Sequence, residues 1–286
     1  MRVRRSVLRF ANRILSKANL SIGRISRDFD SRLDDPKQLG LLFRQLAEPV
    51  GQWLSTQRMF DQVESFDVEN AIAVFYSDYI ASPFRTQGGG SRFNNLMWLN
   101  IIAKAMQPLV IVDSGTFTGA SAWALAHGAP LARVYSFDVD STWIKRRSPN
   151  ATYLQMDWSA FDFMSHESGR SLCYFDDHID QARRIIEAKD RGFSVAIFDD
   201  DFPVTAFAPM ANGGAALPKI EFLLDDDLLK ENELSWLSNG RRYTWRIDRD
   251  YFKLAKSAIL RTERLPNTAL ITGIHQTPYR IVALQD

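Results

Sequence analysis

Short apolar runs rich in β-branched and aromatic residues alternate with amphipathic stretches through the middle of the chain. The apolar runs predict five strands, over residues 109–112, 133–137, 152–155, 171–175 and 194–198. The intervening and flanking stretches predict helices over residues 93–106, 120–127 and 179–190. Continuous apolar strands that alternate with helices are typical of a parallel sheet covered on both faces, so the pattern predicts a doubly wound α/β fold.

The C-terminal end of the chain shows a different pattern. Two further apolar runs, over residues 269–274 and 279–284, are joined by the short linker 275–278. A parallel crossover needs a longer connection, so we expect these two strands to be antiparallel. The less regular residues 202–262, which become basic toward their end, are expected to form a lid-like insertion beside a bound acceptor.

The beginning of the chain is expected to be a helical extension, residues 1–92, in front of the main domain, residues 93–286. Residues 1–27 contain eight basic side chains and no acidic one, and their apolar residues recur at helical spacing. This pattern predicts a basic amphipathic helix, which either lies on the protein surface or contacts an anionic membrane face. Charged residues interrupt its apolar stretch, so we do not expect it to span a bilayer or to act as a secretory signal.

The bulk composition is that of an ordinary soluble globular protein, with 286 residues, 45% hydrophobic and 24% charged. The formal net charge of +1 gives no overall attraction to nucleic acid, so no such partner is expected. Cys173 is the only cysteine, which excludes an intramolecular disulfide and any site built from several cysteines. We therefore expect a cytoplasmic protein.

Each of the five predicted strands is followed closely by an acidic residue, and these residues are Asp113, Asp138, Asp157, Asp177 and Asp199. Ligands of open parallel sheets bind beyond the carboxyl ends of the strands. Five acids along one rim of the sheet therefore predict one binding site there.

The turn after the first strand carries Gly115 and Gly119. Neither glycine has a Cβ atom, so we expect both to leave space for a ligand. We expect Gly115→Val or Gly119→Val to block that ligand without harming the fold. Dinucleotide sites use Gly-x-Gly-x-x-Gly, but Phe117 stands at the second glycine position here. A zwitterion held by Asp113 and by N–H groups of the next helix fits better than a pyrophosphate. The alternative is a plain strand–turn–helix with structural glycines.

The acids after the second and third strands are candidates for holding a nucleoside. A carboxylate at the position of Asp138 can accept hydrogen bonds from both ribose hydroxyl groups. Asp157 and the adjacent Trp158 offer a carboxylate and an aromatic plane for an adenine. The alternatives are that Asp138 caps a helix or is solvated, and that Trp158 belongs to the core.

Residues 112–121, VDSGTFTGAS, resemble the glycine-rich first motif of class I methyltransferases, most closely that of small-molecule and glycan O-methyltransferases. Those enzymes carry Glu at the position of Asp113. The resemblance covers about residues 90–200 and the terminal strand pair. It implies a mostly parallel seven-stranded sheet with an antiparallel last strand, and S-adenosylmethionine as the methyl donor. By position, the donor-binding residues are then Asp113, Gly115, Thr116, Phe117, Gly119, Ser121, Asp138, Asp157 and Trp158.

A second resemblance concerns the ends of the fourth and fifth strands. The sequences FDDH, residues 175–178, and IFDD, residues 197–200, are similar to the corresponding strand ends of metal-dependent catechol-type O-methyltransferases. There such acids hold a divalent cation, and oxygen ligands suit Mg²⁺ or a related ion. By position, the metal ligands are Asp177, Asp199 and Asp200.

The catechol-type enzymes place a lysine base where this chain has Asp180. We therefore expect His178 to serve as the base, with Asp177 beside it, because imidazole titrates near neutral pH. The alternatives are acids that are protonated or solvent-exposed without a cation, and a histidine that is only structural.

These expectations together predict S-adenosylmethionine-dependent O-methylation. A sugar hydroxyl of a surface glycan is the first choice of acceptor, by analogy with enzymes in which a short basic N-terminus precedes the domain. A small molecule is the second choice. Two other classes of protein stay open, a non-catalytic S-adenosylmethionine-binding protein and a nucleotide-dependent oxidoreductase, although the glycine spacing disfavours the latter.

Overall fold

The computed structural model describes residues 36–59, 65–86, 89–163, 170–203, 217–238 and 241–285. The basic helix predicted over residues 1–27 lies outside these ranges. Within them, no helix has both the length and the apolar character that a membrane crossing requires.

The described strands are β1 (Val110–Ser114), β2 (Arg133–Phe137), β3 (Ala151–Leu154), β4 (Ser171–Phe175), β5 (Val195–Phe198), β6 (Glu233–Ser238), β7 (Arg241–Arg246), β8 (Ile259–Arg264) and β9 (Arg280–Leu284). Seven of them form one sheet in the order β3-β2-β1-β4-β5-β9-β8, while β6 and β7 form a separate two-stranded sheet. Strands β1 to β5 are parallel, and β9 is antiparallel to both of its neighbours. The predicted doubly wound, mostly parallel sheet with an antiparallel last strand is confirmed.

The described α-helices are α1 (Pro36–Thr56), α2 (Val68–Ala81), α3 (Phe93–Met106), α4 (Ala120–Gly128), α5 (Gln181–Asp190), α6 (Ile220–Leu224), α7 (Arg249–Ser257) and α8 (Ala269–Thr272). They cover both faces of the sheet, and successive residues of β1 show this division. Ile111 packs in a core cluster with α1, α2, α3 and α4, whereas Val110 and Val112 pack in a second cluster with α5, α6 and α7. This two-sided burial explains why the central strands β1, β4 and β5 are mostly apolar.

The prediction of a strand over residues 269–274 is wrong. This stretch forms the short helix α8, which ends at Gly273 with φ of 76°. The side chain of Asn267, just before the helix, accepts a hydrogen bond from the Ala269 N–H at 2.8 Å. A short apolar run does not distinguish a strand from a buried turn of helix by its periodicity.

Strand β9 instead pairs with β5 on one side and with β8 on the other, and β8 lies mostly in the segment expected to be irregular. Its sequence, ILRTER, contains three charged residues and is an edge strand of the sheet. Charged side chains are common on edge strands because they discourage pairing with other chains. Because of these charged residues, β8 does not form an apolar run and was not predicted as a strand.

Candidate functional site

Three loops at the carboxyl ends of the parallel strands contain non-glycine residues with a left-handed backbone. Phe117 after β1, His178 after β4 and Asp200 after β5 have φ values of 43°, 57° and 55°. Non-glycine residues seldom adopt this conformation, and such backbone strain tends to cluster at functional sites. The rim predicted from the acidic residues is therefore also distinctive in its backbone.

The turn after β1 needs its glycines for packing against neighbouring loops. A Cβ atom on Gly115, which has φ of +102°, would lie 2.4 Å from the carbonyl oxygen of Asp176. A Cβ atom on Gly119, which has φ of +86°, would lie 2.6 Å from the carbonyl oxygen of Arg146. The expectation that these positions are open space for a ligand is thus wrong, because protein backbone occupies that space. Their contact with a donor stays a prediction.

A chain of hydroxyl groups leads from this turn to the buried Asp113. The Ser136 hydroxyl donates to Asp113 Oδ2 at 2.6 Å, and the Thr116 hydroxyl lies 2.6 Å from that of Ser136. Because Ser136 gives its single proton to the carboxylate, Thr116 is the donor in the second bond. The chain fixes the turn onto the end of β1 and β2.

The second oxygen of Asp113 is a buried acceptor that is not satisfied. Asp113 is fully buried, and its Oδ1 atom accepts no well-formed hydrogen bond from any described residue. Burial raises the pKa of Asp113 to about 6, while the nearby hydroxyls of Ser121 and Ser136 oppose that rise. A buried acceptor without a donor is costly, so this atom is suited to receive an N–H group from a ligand.

Asp138, at the end of β2, holds the loop that follows β1. Its Oδ2 accepts the Phe117 N–H at 2.7 Å, and its Oδ1 accepts the Asp140 N–H at 2.9 Å. The cap of the adjacent 3₁₀ turn, Ser141–Trp143, is Asp140 and not Asp138. Each oxygen of Asp138 keeps acceptor capacity for a further donor such as a ribose hydroxyl.

Exposed apolar side chains lie near Asp138, and they were not predicted from the sequence. Val139 is 73% exposed, Trp143 is 60% exposed, and the rings of Trp143 and Phe117 lie 6.3 Å apart. The Trp143 indole N–H donates to Asp140 at 3.1 Å, which orients the ring. An aromatic residue shortly after a strand-ending acid is the sequence signal that could have revealed this surface.

Trp158 does not offer a surface for a ligand. It is fully buried in the second core cluster, where its ring lies 5.2 Å from that of Phe175 and 5.9 Å from that of Phe193. The core alternative therefore holds for Trp158, and the exposed indole near the rim belongs to Trp143.

Arg184 and the acids that it contacts connect the ends of β1, β3 and β4 beneath the rim. Its guanidinium group, 1% exposed, contacts the carboxylates of Asp157 at 2.8 Å, Asp177 at 2.8 Å and Glu187 at 2.6 Å. The Ser114 hydroxyl donates to Asp177 at 2.6 Å, which adds β1 to the cluster. Although burial acts in the opposite direction, hydrogen bonds from Arg184 and Ser159 hold the pKa of Asp157 below its usual value.

The acidic cluster after β4 and β5 differs from the predicted one. Because Asp177 is occupied by Arg184 and Ser114, Asp176 takes its place beside His178 and Asp200. Single ligand atoms of Asp176, His178 and Asp200 all lie within 4.8 Å of one another. The predicted ligand set of Asp177, Asp199 and Asp200 therefore does not form one group in this structure.

Asp199 is turned toward the interior. Its Oδ1 accepts hydrogen bonds from the Thr277 hydroxyl and from the Asp200 N–H, the latter at 2.7 Å. Burial, and then the charge of Asp200, raise the pKa of Asp199 to about 7. Asp176 is half-buried, and burial with the charges of Asp199 and Asp200 raises its pKa well above the usual value. Like charges this close favour retention of a proton.

Two buried tyrosines stand behind these acids and were not singled out from the sequence. The hydroxyls of Tyr174 and Tyr279 are 2.8 Å apart, and Ser91 lies 3.2 Å and 3.1 Å from them. The Tyr174 hydroxyl also reaches Asp199 at 3.4 Å and Asp176 at 3.5 Å. Burial raises the pKa of both tyrosines well above the usual value, so they remain hydrogen-bond donors.

No protein-family model and no curated protein matches this chain. Among solved structures, the S-adenosylhomocysteine-bound methyltransferase PaMTH1 of Podospora anserina is 11% identical, with 85% of this chain and 96% of that chain covered and a TM-score of 0.37. The O-methyltransferase TomG of Streptomyces achromogenes, in complex with S-adenosylmethionine, is 10% identical, with 78% and 92% covered and a TM-score of 0.40. At this distance the likeness does not extend to an activity or a ligand.

Proposed function

We propose that this protein is an S-adenosylmethionine-dependent methyltransferase that methylates an oxygen atom. The observation that carries the proposal is the order of groups along the rim. An unsatisfied buried carboxylate oxygen at β1 is followed by an acid with spare acceptor capacity at β2 and by exposed apolar side chains just beyond it. S-adenosylmethionine is an amino acid joined to a nucleoside, and it needs these three environments in this order.

The donor is proposed to lie across the ends of β1 and β2. Asp113 Oδ1 accepts a hydrogen bond from its ammonium group, and the N–H groups of the first turn of α4 face its carboxylate. Asp138 accepts hydrogen bonds from the ribose, and the adenine packs on Val139 and Trp143. When bound, S-adenosylmethionine supplies a methyl group carried on a positively charged sulfur.

His178 is proposed to accept the proton of the acceptor hydroxyl. It is exposed at the rim, and its ring lies beside the carboxyl groups of Asp176 and Asp200, with single ligand atoms of the three residues within 4.8 Å of one another. Asp177 does not touch the acceptor in this proposal. It fixes the loop that carries His178, because the Ile179 N–H donates to it at 3.2 Å while Arg184 and Ser114 hold its other oxygen.

Binding of a divalent cation is the alternative role for the cluster of Asp176, His178 and Asp200. Asp176, His178 and Asp200 would then be its ligands, and His178 would be unable to accept a proton. If a cation is required, EDTA will abolish turnover, Mg²⁺ or Mn²⁺ will restore it, and Asp200→Ala will cause the same loss. Full turnover in EDTA would eliminate the cation and leave His178 as the base.

The acceptor is proposed to be a sugar hydroxyl of a surface glycan, with a small hydroxylated molecule as the alternative. The direct experiment measures formation of S-adenosylhomocysteine by mass spectrometry after incubation with S-adenosylmethionine and a cell-surface glycan extract. A panel of small phenols and alcohols is tested in parallel. We expect product with one of the two acceptor classes, whereas tight donor binding without product would favour a non-catalytic donor-binding protein.

The variant His178→Ala should lose turnover and keep donor affinity, because the imidazole serves the acceptor. His127→Ala is the matched control, since His127 lies at the C-terminal end of α4 and pairs with Asp78 at 2.8 Å. Equal turnover in His178→Ala and wild type would remove His178 from the chemistry.

A further inference from the structure

Three basic side chains are buried in the described part of the chain, and one of them differs from the other two. Arg184 contacts Asp157, Asp177 and Glu187, and Arg280 contacts Asp201 and Glu221. Lys219 is 7% exposed but forms no hydrogen bond and no direct ion pair through its ammonium group with any described residue. Its side chain is mostly buried while its ammonium group is left open, so Nζ can donate to a ligand that enters beside it.

Lys219 lines the pocket at the ends of β4 and β5, together with Asp176, His178, Asp199 and Asp200. The positive charge of Lys219 acts to lower the pKa of Asp199, whereas the larger effects of burial and of Asp200 raise it. The cavity between these side chains is small, about 10 Å³, which is about the space that one water molecule needs.

The backbone of Lys219 is fixed at the start of α6. Its carbonyl oxygen accepts the N–H groups of Phe222 at 3.0 Å and Leu223 at 3.3 Å. The Gln181 side chain donates to the Asp199 carbonyl at 2.8 Å and accepts the Ile220 N–H at 2.8 Å. These bonds anchor the backbone of Lys219 next to the ends of α5 and β5, so that its side chain starts from a fixed point.

We propose that Lys219 Nζ donates a hydrogen bond to the oxygen of the methyl acceptor and stabilises that oxygen as it becomes negatively charged. This role rests on the proposed function. In the transfer, the acceptor hydroxyl gives its proton to His178 and its oxygen forms a bond to the methyl carbon. The carbon–sulfur bond breaks, and its electron pair stays on sulfur. Lys219 takes no part in this proton transfer.

The proposal also defines the class of acceptor. A fixed ammonium group repels a protonated amine and attracts a hydroxyl group that is losing its proton. Among oxygen acceptors, Lys219 therefore favours those whose oxygen takes on negative charge.

The test uses 4-nitrophenol as a probe, because its phenolate form absorbs light differently from the neutral phenol. The full-length protein is titrated with the probe over a range of pH, with and without S-adenosylhomocysteine. We expect the wild type to bind phenolate about tenfold more tightly than neutral phenol, and Lys219→Met to lose this preference. Lys230→Met is the matched control, because Lys230 is exposed and paired with Asp227.

Two further variants keep the test decisive if Lys219→Met folds poorly. Lys219→Arg keeps the charge and should keep a preference for phenolate, whereas Lys219→Gln keeps hydrogen-bonding capacity and should bind both forms equally. No preference for phenolate in the wild type, or an unchanged preference in Lys219→Met or Lys219→Gln, would overturn the proposal. Calorimetric binding of S-adenosylmethionine, measured on the same proteins, tests the proposed function separately.

Discussion

Replacement of Gly115 by alanine should destabilise the protein strongly, although the residue lies in a surface loop beside the proposed donor site. Gly115 has φ of +102°, a conformation that costs a residue with a Cβ atom about 1–2 kcal/mol. The new Cβ would also lie 2.4 Å from the Asp176 carbonyl oxygen, and this backbone atom cannot turn away as a side chain could. Overpacking of this kind costs about 1–3 kcal/mol. We therefore expect a loss of about 2–5 kcal/mol in the free energy of unfolding.

Gly51→Ala is the matched control for this substitution. Gly51 lies within α1, and a Cβ atom there would meet nothing within 4 Å. Alanine should stabilise the helix by about 0.5–1 kcal/mol, because glycine loses more backbone entropy on folding. Urea unfolding followed by circular dichroism gives both values. A loss below about 1 kcal/mol for Gly115→Ala would show that the loop relaxes around the new Cβ atom. The expectation that the space beside Gly115 is open to a ligand would then stand again.

Three further perturbations test other parts of the account. Arg184→Met should cost about 3 kcal/mol in urea unfolding, since Asp157 and Asp177 would lose a buried cation, and an unchanged stability would show that the cluster does not hold the rim together. Asp113 has a pKa of about 6 in the folded protein against 3.8 normally. The folded state therefore retains a proton that the unfolded state releases, so stability should fall by up to about 3 kcal/mol as the pH rises from 4 to 7. Asp113→Asn should lack this loss, and parallel pH profiles of the two proteins would contradict the shift. Residues 1–27 are proposed to bind anionic liposomes at about 1 kcal/mol per basic residue near the surface; deletion should abolish salt-sensitive flotation, and equal flotation would end that proposal.

The middle of the sheet was predictable because the apolar strands β1, β4 and β5 are buried on both faces. Predicted and observed strands agree within one or two residues at β1, β2, β3, β4 and β5. The strand β8 was not predictable in this way, since it lies at the sheet edge and carries charged residues. The helix α8 was mistaken for a strand because four apolar or β-branched residues are too few to show a period.

The rim was predictable for the same reason, because parallel strands bring their carboxyl ends together. Which of two adjacent acids faces the site was not predictable. Asp176 and Asp177 differ only in the partner each one reaches, and the partner of Asp177 is Arg184, which comes from the following helix. Lys219 was hidden for a similar reason, since tertiary packing brings it to the pocket from a segment without regular pattern.

Isothermal titration calorimetry tests whether the rim at β1 and β2 binds S-adenosylmethionine. We expect the wild type to bind both S-adenosylmethionine and S-adenosylhomocysteine. Asp138→Ala should weaken both by about 1–3 kcal/mol, the scale of a lost charge-assisted hydrogen bond. Asp190→Ala, which removes an exposed acid at the far end of α5, should bind as the wild type does. No binding by the wild type, or equal binding by Asp138→Ala and the wild type, would contradict the account.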